Sequence, residues 1–176
     1  TSFLALLARD DLAKIKKRRK TGKLYFQRSL EALETIVEKA SEYQVKLAIE
    51  SRSRYEDVPT EEEMLILQKH FSDNEWIGYW HDFGHVQLKH NLGLLDHDHW
   101  LQEISQHLLG AHVHDVDWPN RDHRVPFTGT LDYDALLRHV KPELPHVWEL
   151  SPRRSEKEIR LALRCWREKF PDTLAS

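Results

Sequence analysis

Apolar and polar positions follow two spacings along the chain, and these spacings predict helices that alternate with short strands. Residues 25–44 place Leu30, Leu33, Ile36 and Val37 on one helical face, and "VKLAIE" then reads as a buried strand that ends at Glu50. The same order recurs with helices over 59–71, 96–108 and 131–140, strands over 76–82, 109–116 and 146–151, and a last helix over 156–170. Strands separated by such helices are typical of βαβ units, so we predict a parallel α/β sheet with four visible strands.

Capping residues mark where several of these helices begin. Thr60 with Glu63, and Ser155 with Glu158, form the Ser/Thr-x-x-Glu pattern of a capping box, and Asp96 is a suitable N-cap for the helix that follows it. The first 24 residues differ, because "LARDDLAKIKKRRKTGK" reads as a helix ending in a basic cluster with a solvated face. We therefore divide the chain into a leading helical, basic segment, 1–24, and a domain, 25–176.

Polar side chains stand at the end of each predicted strand. Glu50 ends the first strand, Asp82 and His85 follow the second, His112 lies in the third and Glu149 in the fourth. A single carboxylate of this kind is most often a helix N-cap or a satisfied core group. In parallel sheets, however, the carboxyl ends of the strands share one edge, and several buried carboxylates there require a cation. Oxygen and imidazole ligands suit one divalent ion, Mn, Zn, Mg or Co.

Composition limits the classes of protein that remain. The 176 residues carry a formal net charge of −3, so no overall field favours nucleic acid or an anionic membrane. No apolar run approaches the roughly 18 residues of a membrane span, and we expect a cytoplasmic protein. One cysteine excludes an internal disulfide, whereas 12 histidines are many. We read the histidines on predicted helices as surface residues: His97, His99, His107 and His139.

Four stretches together resemble the xylose isomerase-like TIM-barrel superfamily, which contains sugar (phosphate) isomerases and epimerases and the endonuclease-IV-type apurinic-site nucleases. They are "LAIESRSRYEDVPT", "GYWHDFGHVQ", "LGAHVHDVDWPNRDH" and "VWELSP". Their order resembles strands five to eight of a (β/α)8 TIM barrel, so this chain would supply the C-terminal half. Four strands leave two sheet edges unpaired. We therefore expect a fragment of a longer protein, or a second subunit that supplies the missing N-terminal half.

The resemblance implies roles for particular residues. The single ion of the epimerases would be held here by Glu50, Asp82, His112 and Glu149, and the two glutamates would also act as acid and base. His85 would touch the substrate, or a further metal ion in a nuclease. Glu56 matches a second glutamate that contacts substrate. We also assign three residues of the loop after the third strand to substrate binding: Trp118, Arg121 and His123.

Three functions follow from the resemblance, and we favour the first. This first function is a divalent-metal-dependent isomerase or epimerase, which acts on a sugar or sugar-like substrate by moving a proton next to a carbonyl. We favour it because all four ligands of a single metal ion are present. The alternatives are an endonuclease-IV-like phosphodiesterase, with more metal ions and nucleic acid as partner, and a non-catalytic half-barrel. Arg121 stands where the nucleases have an aspartate, which weakens that alternative. His114 and Asp115 are expected to fix the ring of His112.

Overall fold

The computed structural model describes residues 3–118 and 121–174, so the first two residues of the predicted leading segment lie outside the described range. Its helices are α1 (Phe3–Glu42), α2 (Glu61–His70), α3 (Phe83–Asn91), α4 (His97–Ile104), α5 (Tyr133–Leu136) and α6 (Glu156–Lys169). Its strands are β1 (Leu47–Glu50), β2 (Ile77–Asp82), β3 (Leu108–Val113), β4 (Asp115–Asp117), β5 (Arg121–Arg124) and β6 (His146–Trp148). Short 3₁₀ turns follow α4, α5 and α6.

The chain divides into two compact units, and residues 1–79 form the first. Helix α1 of this unit runs through residue 24 without a break. The prediction that a separate leading helix ends at the basic cluster is therefore wrong. Thr60 and Glu63 form the predicted capping box at the start of α2, with both reciprocal hydrogen bonds present. Buried apolar side chains of α1 and α2 supply this unit's core: Val37, Ala40, Met64 and Leu67.

Residues 80–176 form the second unit. Strands β3 and β6 pair in parallel there, with His112 opposite Val147. Its core contains fully buried side chains from β3, α3 and α4: Val113, Phe83, Val86, Leu101 and Ile104. An antiparallel hairpin, β4 with β5, replaces the end of the predicted third strand and the loop after it. The hairpin carries His123, a residue assigned to substrate binding from the sequence.

The main sheet has four strands in the order β1-β2-β3-β6. All four lie where the hydrophobic pattern predicted strands, and the four-stranded α/β sheet is confirmed. The strands at the two ends of this order, β1 and β6, are less buried than β2 and β3, as expected for edge positions. Within the described residues, no helix is long and apolar enough to cross a bilayer.

Helix α3 was not predicted, and it changes the position of His85. The helix begins directly after β2, with Asp82 as its N-cap, and the Asp82 side chain accepts a hydrogen bond from the backbone N–H of His85. His85 therefore lies in the first turn of this helix, directly after the strand.

Candidate metal and substrate site

Three predicted ligands converge at the carboxyl ends of the strands of the second unit. Asp82 is the last residue of β2, His112 lies on β3, and Glu149 directly follows β6. The backbone N–H of Glu149 donates to the Val113 carbonyl at 3.3 Å, which continues the β3–β6 pairing by one step. The Nδ1 atom of His112 lies 3.7 Å from Asp82 Oδ2 and 3.3 Å from Glu149 Oε2. One ligand atom from each of the three lies within 4.8 Å of the others.

The Asp82 carboxylate is fully buried and ionised. Burial alone would raise the pKa of Asp82, but the neighbouring imidazoles of His112 and His114 outweigh burial and hold this pKa far below its ordinary value. The buried negative charge therefore persists at neutral pH. A carboxylate that stays charged without solvent needs cationic or hydrogen-bonding neighbours, and the histidines around it supply them.

His114 contacts both Asp82 and the hairpin. Its Nε2 atom lies 2.9 Å from Asp82 Oδ1, while Nδ1 accepts a hydrogen bond of 2.9 Å from the backbone N–H of His123. Burial lowers the pKa of His114, but the Asp82 carboxylate more than offsets this, so the pKa lies above its ordinary value. Because Nδ1 accepts a hydrogen bond, we assign the proton to Nε2. His114 thus faces Asp82, and the predicted orientation toward His112 is corrected.

Gly84 explains why the chain can bring this ring so close to α3. A Cβ atom at position 84 would lie 1.9 Å from Cε1 of His114, which is well inside van der Waals contact. The His114 ring also stacks on His123, with ring centres 4.4 Å apart and planes 6° apart. The glycine in "WHDFGH" is therefore required by the close approach of the His114 ring.

His85 and His123 form a second group with His114, beside the first. Ligand atoms of these three histidines lie within 4.8 Å of one another. His85 Nδ1 lies 3.4 Å from Asp82 Oδ2. His123 Nδ1 lies 2.9 Å from Asp122 Oδ1, and its Nε2 lies 3.6 Å from Glu149 Oε1. The predicted substrate residues His85 and His123 therefore border the carboxylates of the first group.

The other predicted site residues lie near the hairpin or in the first unit. Trp118, 46% exposed, follows β4, and Arg121 begins β5 with its guanidinium 3.0 Å from Asp117 Oδ2. In the first unit, Glu50 ends β1 and Glu56 lies in the loop after it. Asp115 binds three backbone N–H groups, those of residues 116, 129 and 131, so its carboxylate holds the loop after the hairpin.

A buried histidine pair was missed by sequence reasoning. His81 and His97 are fully enclosed, with their Nε2 atoms 3.0 Å apart, and His97 Nδ1 lies 2.8 Å from Gln87 Oε1. Burial lowers the pKa of His81 to about 3 and that of His97 well below its ordinary value. The surface prediction is wrong for His97 and confirmed for His99, while His107 and His139 are half-buried. Successive side chains of a strand point to opposite faces of the sheet, so His81 lies on the other face of β2 from Asp82.

The residues present fit a divalent ion. Two carboxylates and an imidazole are the donor types that bind Mn, Zn or Co ions. Glu149 Oε2 is buried and has no hydrogen-bond partner among the described residues, so an oxygen in this group is available for a cation. Buried charges in proteins are paired or coordinate metals, and the buried Asp82 carboxylate is surrounded here by imidazoles and by a second carboxylate.

Comparison with known proteins identifies the family. The profile of the xylose isomerase-like TIM barrel family matches residues 10–169, and the chain belongs to this family. The fold is accordingly of the α/β TIM-barrel type, and the resemblance inferred from the four sequence stretches is confirmed. No curated protein matches the chain.

Two solved structures share the fold. The 3-keto-D-glucoside 4-epimerase YcjR from E. coli, in its apo form, matches with a TM-score of 0.62 and 17% identity over 81% of this chain and 53% of that one. A D-tagatose 3-epimerase-like protein matches with a TM-score of 0.67 and 20% identity over 84% of this chain and 55% of that one. The chain thus spans about half the length of these structures.

Proposed function

We propose that the protein is a divalent-metal-dependent isomerase or epimerase of a sugar or sugar-like substrate. The observation that carries this proposal is the convergence of Asp82, His112 and Glu149, within 4.8 Å of one another, at the carboxyl ends of their strands. The names of the two structural neighbours, both sugar epimerases or epimerase-like, support the same reaction class. Since the chain spans half of those proteins, the activity is proposed for the complete protein.

Glu50 is the proposed fourth ligand. It ends β1, and β1 is the neighbour of β2 in the sheet order, where β2 ends at Asp82. The carboxyl ends of adjacent parallel strands lie at one edge, so strand order supports a common site for the two carboxylates. The remaining residues of the barrel would come from four further strands or from a second copy of the chain, in keeping with the expected missing half.

In this proposal the two glutamates move the proton. Glu149 takes a proton from the carbon beside the substrate carbonyl, and Glu50 returns one to that carbon from the opposite side, which inverts its configuration. A bound divalent ion would polarise the carbonyl and thereby acidify the adjacent C–H group. His85 and His123, which border the carboxylates, would donate hydrogen bonds to substrate hydroxyl groups. Asp82 and His112 would orient the site without exchanging protons with the substrate.

Substitution of Glu149 tests the proposal. Glu149→Gln keeps the shape and one oxygen donor but cannot accept a proton at neutral pH, so turnover should fall at least about 100-fold, the usual contribution of general-base catalysis. The measurement is exchange of the substrate's carbon-bound hydrogen with deuterated water at saturating Mn²⁺, over a panel of ketoses. Glu143→Gln, at an exposed position of the same unit, is the matched control and should leave exchange unchanged. Equal exchange by the two variants would refute the assignment of Glu149 as the base.

The histidine group motivates the second candidate, an endonuclease-IV-like phosphodiesterase. His85, His114 and His123 lie beside the first group and offer ligand atoms for a further metal ion. However, the hydrogen bond that His114 Nδ1 accepts and its approach to Asp82 occupy both of its nitrogens, which leaves two histidines for such an ion. Cleavage of DNA at an abasic site, together with no hydrogen exchange on any ketose, would establish the nuclease instead.

A further inference from the structure

Two neighbouring side chains of β5 touch each other in the hairpin. His123 Nδ1 lies 2.9 Å from Asp122 Oδ1. In a regular strand successive side chains point to opposite faces of the sheet, and such a contact does not form. Between its two paired positions, however, the hairpin has one residue on β4, Val116, and two on β5, Asp122 and His123. The extra residue makes a β-bulge, which turns the two side chains toward each other.

The backbone of His123 is in the left-handed region, with a φ of 52°. Residues other than glycine are uncommon in this conformation, which persists where the surrounding contacts hold it. The His123 backbone N–H donates to Nδ1 of His114 at 2.9 Å, and its carbonyl accepts from the backbone N–H of Ser151 at 3.1 Å. The His123 ring also stacks on the His114 ring. Backbone and ring are therefore both held in one position.

The hydrogen bond from Ser151 fastens the hairpin to the segment that carries the proposed base, Glu149. Ser151 stands two residues after Glu149, directly beyond β6. His123 Nε2 faces Glu149 Oε1 at 3.6 Å, which is too long for a hydrogen bond. The other carboxylate oxygen, Oε2, lies 3.3 Å from Nδ1 of His112. The two oxygens of Glu149 therefore have different neighbours, and Oε2 is the one beside the proposed metal ligands.

The Asp122 carboxylate determines which nitrogen of the neutral His123 ring carries the proton. An ionised carboxylate accepts hydrogen bonds and donates none, so its approach to 2.9 Å favours the proton on Nδ1. Nε2 of the same ring then has a lone pair and no proton. With the proton on Nε2 instead, the ring would face Glu149 Oε1 as a donor, and a small movement would form a hydrogen bond to this oxygen.

We propose that Asp122 is a positioning residue, which holds the His123 proton on Nδ1 and thereby leaves Oε1 of Glu149 open to take the proton of the substrate. Nε2 then accepts a hydrogen bond from a substrate hydroxyl group, which replaces the donor role that the place of His123 beside the carboxylates suggests. The effect on proton transfer rests on the proposed function. The position of the His123 proton depends only on the contacts of the hairpin.

Nuclear magnetic resonance of the protein labelled with nitrogen-15 histidine tests the proton position without turnover. Spectra are recorded at about pH 8, where an ordinary imidazole is neutral, and the His123 signals are those lost in His123→Gln. We expect the proton on Nδ1 in the wild type and in Asp122→Asn, which keeps an oxygen acceptor. Asp122→Ala should move the proton to Nε2. Asp117→Ala removes a carboxylate of the same 34% exposure from the same hairpin and should leave the His123 proton on Nδ1.

Kinetics of hydrogen exchange with deuterated water test the effect on the reaction. In Asp122→Ala the hydrogen bond from Nε2 to Glu149 must break before Glu149 can take a proton. We therefore expect kcat to fall at least about 10-fold on the ketose that the wild type exchanges fastest. KM should change by less than about 3-fold, because the loss concerns the transition state. Asp122→Asn should restore kcat to near the value of the wild type.

Three results would overturn the proposal. The wild-type ring could carry a proton on Nε2, alone or together with one on Nδ1, Asp122→Ala could leave the proton on Nδ1, or kcat could stay unchanged while the proton moves. The wild-type and Asp122→Asn spectra decide the proton position even where Asp122→Ala does not fold. A wild type that exchanges no ketose, with its His123 proton on Nδ1, would support the positioning by Asp122 and refute the proposed reaction.

Discussion

Asp115 supports the loop that follows the hairpin, and its replacement by asparagine should destabilise the protein measurably. The buried carboxylate accepts hydrogen bonds from the backbone N–H groups of Val116 at 2.8 Å, Leu131 at 3.1 Å and Gly129 at 2.9 Å. Oδ1 serves Val116 and Leu131, and Oδ2 serves Gly129. Asparagine has one oxygen, so its amide group must turn a donor toward at least one of these N–H groups.

The cost follows from the hydrogen bond that is lost. A hydrogen bond to a charged group contributes about 1.5–3 kcal/mol, and because Gly129 is exposed, water can bind its N–H once the carboxylate oxygen is gone. The geometry favours retaining the oxygen at the Oδ1 position, where it serves two donors, and losing the bond to Gly129. We therefore expect Asp115→Asn to lower the free energy of unfolding by about 1.5–3 kcal/mol. Asp115→Ala removes all three acceptors and should cost more.

Equilibrium urea unfolding of the purified protein in its native assembly measures this loss, and amide hydrogen exchange locates it. Exchange should accelerate most at the Gly129 amide, and less at the Leu131 amide. Asp172→Asn, at an exposed position of the second unit, is the matched control and should shift the free energy of unfolding by less than about 0.5 kcal/mol. A loss below about 1 kcal/mol for Asp115→Asn, or unchanged exchange at Gly129, would refute the role given to this carboxylate.

Three further predictions concern pH, metal and assembly. Burial holds the folded-state pKa of His81 at about 3, below its ordinary 6.5, so the unfolded chain takes up the proton first and stability falls as pH drops from 6.5 toward 3. This residue alone should cost about 1.4 kcal/mol at pH 5.5, and a flat urea midpoint between pH 7 and 5 would contradict it. Mn²⁺ at 100 times its dissociation constant should stabilise the folded state by about 2.7 kcal/mol, and Asp82→Asn should abolish the shift in melting temperature. Because a closed barrel of this type has eight strands, residues 1–176 alone should dimerise or melt without cooperativity, and a cooperatively melting monomer in analytical ultracentrifugation would disprove this.

The sequence predicted those parts of the fold that depend on local patterns. The four strands of the main sheet and the two capping boxes follow from residues within one turn or one strand, and all are present. Helix α3 was missed because "FGHVQLKHN" has no clear apolar stripe and begins directly after a strand. The β4–β5 hairpin was missed because its strands are short and polar, and their pairing depends on contacts that period-two alternation does not encode.

The site was predictable to a similar extent. The convergence of Asp82, His112 and Glu149 followed from one topological rule, that reactive groups gather at the carboxyl ends of parallel strands. The orientation of His114 was not predictable, since its partners Asp82 and His123 are 32 and nine residues away along the chain. His97 was misread for a related reason. A histidine on a polar helix is usually exposed, but the ring of His97 is buried and its Nε2 atom lies 3.0 Å from Nε2 of His81.

Asp82 shows why the structural and the catalytic interpretations of a strand-end acid need not exclude each other. Its Oδ1 atom accepts the His85 N–H at 2.7 Å and lies 2.9 Å from His114 Nε2, so this oxygen begins helix α3 and holds the hairpin's histidine. Its Oδ2 atom faces His85 Nδ1 at 3.4 Å and His112 Nδ1 at 3.7 Å. One carboxylate can therefore cap a helix with one oxygen and present the other to an ion. The positive end of α3 also favours the charged form, so the cap that fixes the local fold also keeps the proposed ligand ionised.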